Sequence, residues 1–389
     1  MSSRHVARKD QARTLLKASR AVDASGTTTD PWILIAGDRI EATGTGQSVP
    51  FAHTVVDLGD ATLTPGFIDL HSHGGAGESY DADMSSGSSA LAMHRSRGTT
   101  RSVLSLVSAP IDALEQSLSQ IRALMLDDEL ILGAHLEGPF LAADNRGAHD
   151  PQHLRAPTPD LVDRLIDAGE GVLKQVTIAP ELEGALEAIR SFAEHGIAVA
   201  VGHTQADYAL TTAAFDVGAR ILTHAFNAMP GIHHRRPGPI MAAASDPRIT
   251  LELVLDAVHV HPTVAGGLFR LAPGRIALIT DAMAAAGAPD GSYELGSLDV
   301  KVVGGVARLT GSDTIAGSTL TQDQALRMAV TAAGLDFSTA VGALTNVPAR
   351  TLGLESEIGL LKSGFTADIV VLSPTLQVQH VWARGFRLS

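Results

Sequence analysis

The chain contains no cysteine. This excludes a disulfide framework and any thiolate metal site, so a bound metal must sit on histidines and carboxylates. No apolar run reaches the ~18 residues a membrane-spanning helix needs. Basic residues are outnumbered: 29 Lys and Arg face 42 Asp and Glu, giving a formal net charge of −13. An acidic chain without a basic stripe is a poor nucleic-acid binder. Neither nucleic acid nor membrane is therefore expected as a partner. The basic start, Met1 to Asp10, has no apolar stretch behind it and does not read as a secretory signal. A cytoplasmic location follows as the expectation, and the first dozen residues read as a disordered tail. No G-x-S-x-G occurs, which removes support for a serine hydrolase with a nucleophile elbow. Internal repeats of about 20–50 residues are missing too. Gly44-Thr45-Gly46 lacks the third glycine and the helix that a phosphate loop requires.

What remains is substantial. Of 389 residues, 45% are hydrophobic and 18% charged, which provides a sizeable core and rules out a disordered chain. Short strand-like runs open the chain at Thr14–Ala18, Pro31–Ala36 and Arg39–Thr43, with a Gly37-Asp38 turn between the last two. Similar runs close it at Ala367–Leu372 and Gln377–Trp382. Neither end alone has enough strands to bury a face, so one β unit built jointly from both termini is expected.

The middle alternates. Apolar runs lie at Phe67–His71, Ser102–Val107, Ile131–Glu137, Gln175–Ala179, Ile197–His203, Arg220–His224, Thr250–Asp256 and Arg275–Asp281. Helical patterns lie between or after them at Ser86–Arg97, Ile111–Leu126, Thr158–Ala168, Glu183–His195, Ala206–Val217, Pro262–Leu271 and Thr319–Ala333. Near-continuous apolar strands fit a buried parallel sheet, and the series has the length of a (β/α)₈ barrel. The predicted fold class is α/β: a TIM-like barrel over 62–354, with a small β-sandwich from 1–61 and 355–389. Two long connections, Asn227–Pro239 and Ala288–Gly317, are candidate functional loops.

In such a barrel the chemistry sits where strands end. The first strand ends His71-Ser72-His73, the third His135-Leu136-Glu137, the fifth His203, the sixth His224, and the eighth Asp281. The seventh runs into Asp256-Ala257-Val258-His259. Residues i and i+2 of a strand share a face, so His71 and His73 can reach one ion. A lone histidine at a strand end is ordinarily a satisfied polar residue. Six metal-competent groups, His71, His73, Glu137, His203, His224 and Asp281, make that reading untenable here. His53, His94, His135, His153, His195 and His380 fall off the pattern and read as surface or core residues, with His135 able to support Glu137. Imidazoles with carboxylates suit Zn²⁺, Fe²⁺, Mn²⁺ or Co²⁺. Such an ion brings the pKa of bound water toward ~7, and Asp281 is placed to accept its proton and pass it to a leaving group.

These residues, with the segments PGFIDLHSHG, HLEGPFL, VGHT, THAFNAMP and TDAMAAAG, resemble the amidohydrolase superfamily. Within it they resemble the N-acetylglucosamine-6-phosphate deacetylase family, over about residues 60–372. The resemblance implies a metal-dependent hydrolase that removes the acetyl group of N-acetylglucosamine 6-phosphate, with one or two divalent ions, zinc foremost. It implies that Glu137, His203 and His224 hold one ion, that His71 and His73 hold a second, and that Asp281 is general base and then acid. It further implies that Ala148, Asn227, Ala228, Arg235, His259 and the loop Ile315, Ala316, Gly317 serve the substrate. His259 would polarise the acetyl carbonyl and Arg235 would bind the phosphate. A homodimer is implied as well, because in this family such a basic loop often reaches the neighbouring subunit. The cluster His233-His234-Arg235-Arg236 is the dense basic cluster near the site, and a solvated loop is its plain alternative. Strand four ends Ile178-Ala179-Pro180-Glu181, so no lysine is available as a bridging ligand and Glu137 must bridge. Two rivals stand beside this reading. One is another amidohydrolase, acting on a related N-acyl sugar phosphate or a cyclic amide in the manner of a dihydroorotase or dipeptidase. The other is a catalytically silent sugar-phosphate sensor.

Overall fold

The computed structural model describes residues 12–81 and 88–389. The expected N-terminal tail, and the first two residues of the helix expected over Ser86–Arg97, lie outside the described residues. Eight parallel strands form the central sheet, each hydrogen-bonded to the next in chain order: Phe67–Ser72, Thr99–Leu106, Ile131–Glu137, Leu173–Ile178, Ala198–Val201, Ile221–Leu222, Thr250–Val254 and Ile276–Ile279. The first and last meet at the C-terminal end of the strands. Asp281 N–H donates to the His71 carbonyl at 2.9 Å, and His73 N–H to the Ala282 carbonyl at 2.7 Å. The barrel thus closes through residues just beyond its strands.

Helices pack outside. Ile111–Asp127, for example, buries Leu114, Leu118 and Ile121, a 3.6-residue stripe. Three helices carry no counterpart in the sequence reading: Gly238–Ser245, Phe337–Leu344 and Asn346–Thr351. The first of them takes up the end of the connection expected to be a loop over Asn227–Pro239.

The barrel interior is more polar than apolar strand runs suggest. Asp69 accepts from Thr280 Oγ1 at 2.6 Å, Gln175 reaches Glu252 at 2.7 Å, and Thr177 meets Thr223 at 2.9 Å and His135 at 2.8 Å. All seven side chains are buried. Their apolar neighbours along each strand point outward to the helices, as the period of two requires.

The two termini do build sheets together. A six-stranded sheet orders Phe386–Arg387, Val378–Ala383, Ile369–Leu372, Thr62–Pro65, Arg20–Asp23 and Gly26–Thr29. A four-stranded sheet holds Arg39–Thr45, Pro31–Ala36, Arg13–Lys17 and Thr54–Asp57. The strand Ile369–Leu372 shows why its sequence is apolar throughout. Ile369 and Val371 enter the core between these sheets with Leu16, Ile33 and Trp382, while Val370 and Leu372 pack on the barrel core. The insert after the eighth strand forms a three-stranded antiparallel sheet, Gly291–Leu295, Leu298–Val303 and Val306–Leu309, which shares a small core with Ala148, Met283 and Ala316.

Candidate active site

The metal-competent residues converge at the C-terminal mouth of the barrel. Glu137 ends its strand, while His203, His224 and Asp281 each sit two residues beyond theirs. All three take the left-handed backbone region, with φ of 47°, 25° and 50°. That region is costly for residues other than glycine and is retained where the surroundings enforce it. The turn aims each side chain back across the barrel axis. Gly202 precedes His203 where a Cβ would come within 2.6 Å of Thr223 and 2.8 Å of Thr177, so the strand end needs a glycine to pass its neighbours.

Glu137 is the hub. Its Oε1 lies 3.0 Å from His224 Nε2, 3.1 Å from His203 Nε2 and 3.4 Å from His71 Nε2. Its Oε2 lies 3.1 Å from His73 Nε2 and 3.4 Å from His149 Nε2. Asp281 Oδ1 stands 3.5 Å from His71 and 3.3 Å from His73. The six side chains expected from the strand ends are therefore in one cluster. His149 joins them as a member the strand-end logic missed, since it lies in the loop after the third strand and only its place beside Ala148 in Gly147-Ala148-His149 pointed to it.

The donor set fits divalent ions. His71 Nε2 and His73 Nε2 face each other at 3.0 Å, as do His203 Nε2 and His224 Nε2. At that separation each pair of Nε2 atoms needs a proton or a metal cation between or beside them. The donor atoms of His71, His73, Glu137 and Asp281 lie within 4.8 Å of one another, and so do those of Glu137, His149 and His203. Burial pulls the His203 imidazole down to about 4, against hydrogen bonding from Glu137 that favours its cation, so the ring is neutral at pH 7 and free to ligate. Burial works against ionisation of Glu137, yet the surrounding histidines hold its carboxyl well below the usual range, so it is an anion at neutral pH. Asp281 is likewise held low against its burial, by the charge of His71 and a hydrogen bond from His73.

His135 lies in the core, as its place off the strand-end pattern suggests, and the further possibility that it supports Glu137 finds no hydrogen bond: its ring nitrogens are spent on Ser105 Oγ at 3.0 Å and Thr177 Oγ1 at 2.8 Å. Burial then drives it well below its ordinary pKa, which keeps it neutral beneath His71, whose ring centroid is 4.6 Å away.

Above the cluster opens a cleft of about 520 Å³. Ala148, Asn227, Ala228, His259, Ile315 and Gly317, six of the residues expected to serve a substrate, line it. Ala316 does not; it is fully buried beneath the loop. Arg235 is exposed and does not line the cleft of its own chain. Among the described lining residues the single guanidinium is Arg146, which follows the short turn Ala143–Asn145 and which the sequence reading did not single out. His259 is anchored at Nδ1 by Asp256 Oδ2 at 2.7 Å. Burial disfavours its cation, but the hydrogen bond and charge of Asp256, with a contribution from Asp281, raise its pKa overall.

A family model described as the amidohydrolase family matches residues 62–387. The chain belongs to the amidohydrolase family. It is 39% identical over 375 residues to an N-acetylgalactosamine-6-phosphate deacetylase of Escherichia coli O157:H7, covering 95% of this chain and 98% of that protein. It is 36% identical to the human N-acetylglucosamine-6-phosphate deacetylase, covering 85% of this chain and 84% of the other. Among solved structures it is similar to a mutant N-acetyl-D-glucosamine-6-phosphate deacetylase from Mycobacterium smegmatis in complex with N-acetyl-D-glucosamine-6-phosphate. That likeness has a TM-score of 0.93 at 43% identity, over 97% of this chain and 99% of that one. Among the described residues of this family member, no helix is long and apolar enough to cross a membrane.

Proposed function

We propose that this amidohydrolase hydrolyses the N-acetyl group of N-acetylglucosamine 6-phosphate, yielding glucosamine 6-phosphate and acetate. The carrying observation is the Glu137-centred cluster at the floor of a polar cleft, in a chain whose full-length relatives are hexosamine-6-phosphate deacetylases. A silent sensor needs no such group of water-activating residues.

Glu137, His203 and His224 would hold one divalent ion, and His71 and His73, with Glu137 shared, a second; zinc suits this donor set best, with iron, manganese and cobalt as substitutes. A bound ion supplies Lewis acidity to the amide and acidity to water. The chain supplies the rest. Asp281 takes a proton from the attacking water as its oxygen bonds to the acetyl carbon. It returns that proton to the amide nitrogen as the C–N bond breaks. His259, with Nδ1–H given to Asp256, has Nε2 left to donate to the carbonyl oxygen as negative charge develops there. Ala148, Asn227 and Ala228 line the wall against which the sugar would lie, and Ile315 and Gly317 its roof. Ala316 serves by packing the roof from below.

A phosphate calls for charge-assisted donors. Arg235 fills that role from a neighbouring copy in a homodimer, a reading supported by its exposure and by its place outside the lining of its own cleft. Arg235→Ala then raises KM about tenfold or more with a smaller change in kcat, and an unchanged KM removes Arg235 from the phosphate site.

The test is acetate release from N-acetylglucosamine 6-phosphate by purified protein, with metal content measured on the same sample. Activity lost on chelation and regained with Zn²⁺ supports the proposal. A fully metallated protein without turnover refutes it. The 39% identity to a galactosamine enzyme places the galacto epimer in the same panel.

A further inference from the structure

Among the buried carboxylates that the proposed reaction leaves unused, Glu252 touches the ring of a proposed ligand, His71. Glu252 lies in the seventh barrel strand, Thr250–Val254, with no exposure to solvent. Among the described residues no Lys or Arg pairs with it. A carboxylate in such a place is costly unless hydrogen-bonded or paired. It has two partners. Gln175 Nε2 donates to its Oε1 at 2.7 Å, and its Oε2 stands 3.4 Å from His71 Nδ1. His71 therefore presents Nδ1 to Glu252 and Nε2 to His73, Glu137 and Asp281.

The two histidine pairs of the site repeat one arrangement. In each, one ring is anchored at Nδ1 and the other is not. His203 Nδ1 meets the Asn145 carbonyl at 2.9 Å, and His71 Nδ1 meets Glu252. The Nδ1 atoms of His73 and His224 are buried without a hydrogen-bond partner. The anchors differ in kind: that of His203 is a neutral carbonyl, that of His71 a carboxylate. A carboxylate that accepts Nδ1–H fixes the tautomer, leaves the lone pair on Nε2 and makes that nitrogen a stronger donor to a metal.

We propose that Glu252 is the positioning residue of the second metal half-site: it fixes His71 with Nδ1 protonated, so that Nε2 stays turned toward a second divalent ion beside His73. Gln175 holds Glu252 in turn. The proposal rests on the metal-dependent reading above and extends it to a strand that carries none of the proposed ligands.

The test reads zinc binding rather than turnover. Wild type, Glu252→Gln, His71→Ala and the double variant are titrated with zinc against a chromophoric chelator, and bound zinc is counted. Wild type takes up two ions. Glu252→Gln weakens the second by about 10- to 100-fold and leaves the first within about twofold. Adding Glu252→Gln to His71→Ala gives no further loss, because the carboxylate acts through that ring. A wild type saturating at one ion, an equal loss at both sites, or no loss at either overturns the proposal. A measurement on protein without substitutions stands beside these: nitrogen-15 histidine spectra of the zinc-loaded chain show His71 protonated at Nδ1 with no proton on Nε2, and a metal-bound Nδ1 or a proton on Nε2 overturns the assignment. None of these readouts needs substrate, so a failed deacetylation assay and a failed Glu252 role remain distinguishable.

Discussion

Asp281 combines a strained backbone with a carboxylate held low by two imidazoles, and its main-chain N–H closes the barrel. Asp281→Asn keeps the size and the main-chain bond but removes the proton acceptor. The expected result is a kcat lower by about 10²- to 10⁴-fold with bound metal retained, read by steady-state kinetics and metal analysis. The His259–Asp256 pair makes a prediction about pH. Donation to the substrate requires the protonated ring, because Nδ1–H is already given to Asp256. A raised pKa means this form persists above the ordinary histidine value and is lost as pH rises through the shifted one. Asp256→Asn removes the largest raising influence, so the alkaline limb of kcat/KM moves to lower pH. An unmoved limb refutes the donor role. His71, His73, Glu137, His203, His224 and Asp281 were legible in the sequence because each stands within two residues of a strand's end. His149 and Glu252 were harder. One lies in a loop, where strand logic has no reach. The other is a single charge in the apolar run Thr250–Val254, and a reading that scores apolar runs passes over the one residue that breaks them. That break was the available signal, because a charge inside a buried strand needs a reason.

At the scale of elements, strands with β-branched runs and helices with clear stripes were legible, and those without them were not. Gly238–Ser245 is buried along most of its length and starts with Gly-Pro, so it shows neither an amphipathic face nor a polar cap. Arg20–Asp23 and Gly26–Thr29 form a hairpin rich in threonine that borrows its burial from the neighbouring Thr62–Pro65 and shows no apolar alternation of its own. The positive-φ turns at His224 and Asp281 have no neighbouring glycine to announce them, and Gly202 beside His203 answers to close packing rather than to the turn; the packed barrel mouth imposes all three. The strand Ile369–Leu372, by contrast, was read from its composition, and its two faces serve two cores. Ile369 faces the sandwich side. Ile369→Ala is expected to cost about 2–5 kcal/mol in chemical denaturation while kcat on the folded protein stays within about twofold, because the cavity opens away from the site.

Across the whole molecule, one buried ion pair ties the barrel to the terminal sheets. Arg101 in the second barrel strand gives Nε–H to Asp368 Oδ2 at 2.7 Å, just ahead of the strand Ile369–Leu372, and its other nitrogen reaches the Glu129 carbonyl at 2.7 Å. Asp368 also accepts from the Arg384 N–H at 2.8 Å. Chain ends and barrel are thereby joined far from the catalytic mouth. At the opposite end the barrel's circle is completed by Asp281 N–H to His71 O and His73 N–H to Ala282 O, hydrogen bonds made by the backbone of the clustered site residues themselves. The point where the first strand meets the last is thus also the point where the proposed ions would bind, and an ion bound only by the native state stabilises what surrounds it. Metal occupancy should therefore be written into amide hydrogen exchange. Stripping the ions should release the Asp281 and His73 amides by about tenfold or more while the amides of the fourth strand, across the barrel, hold their protection. Equal loosening all around the barrel would show the closure to be independent of the ions. A seam that opens selectively would make two backbone protons a gauge of whether the enzyme is loaded, readable without substrate and without touching a side chain.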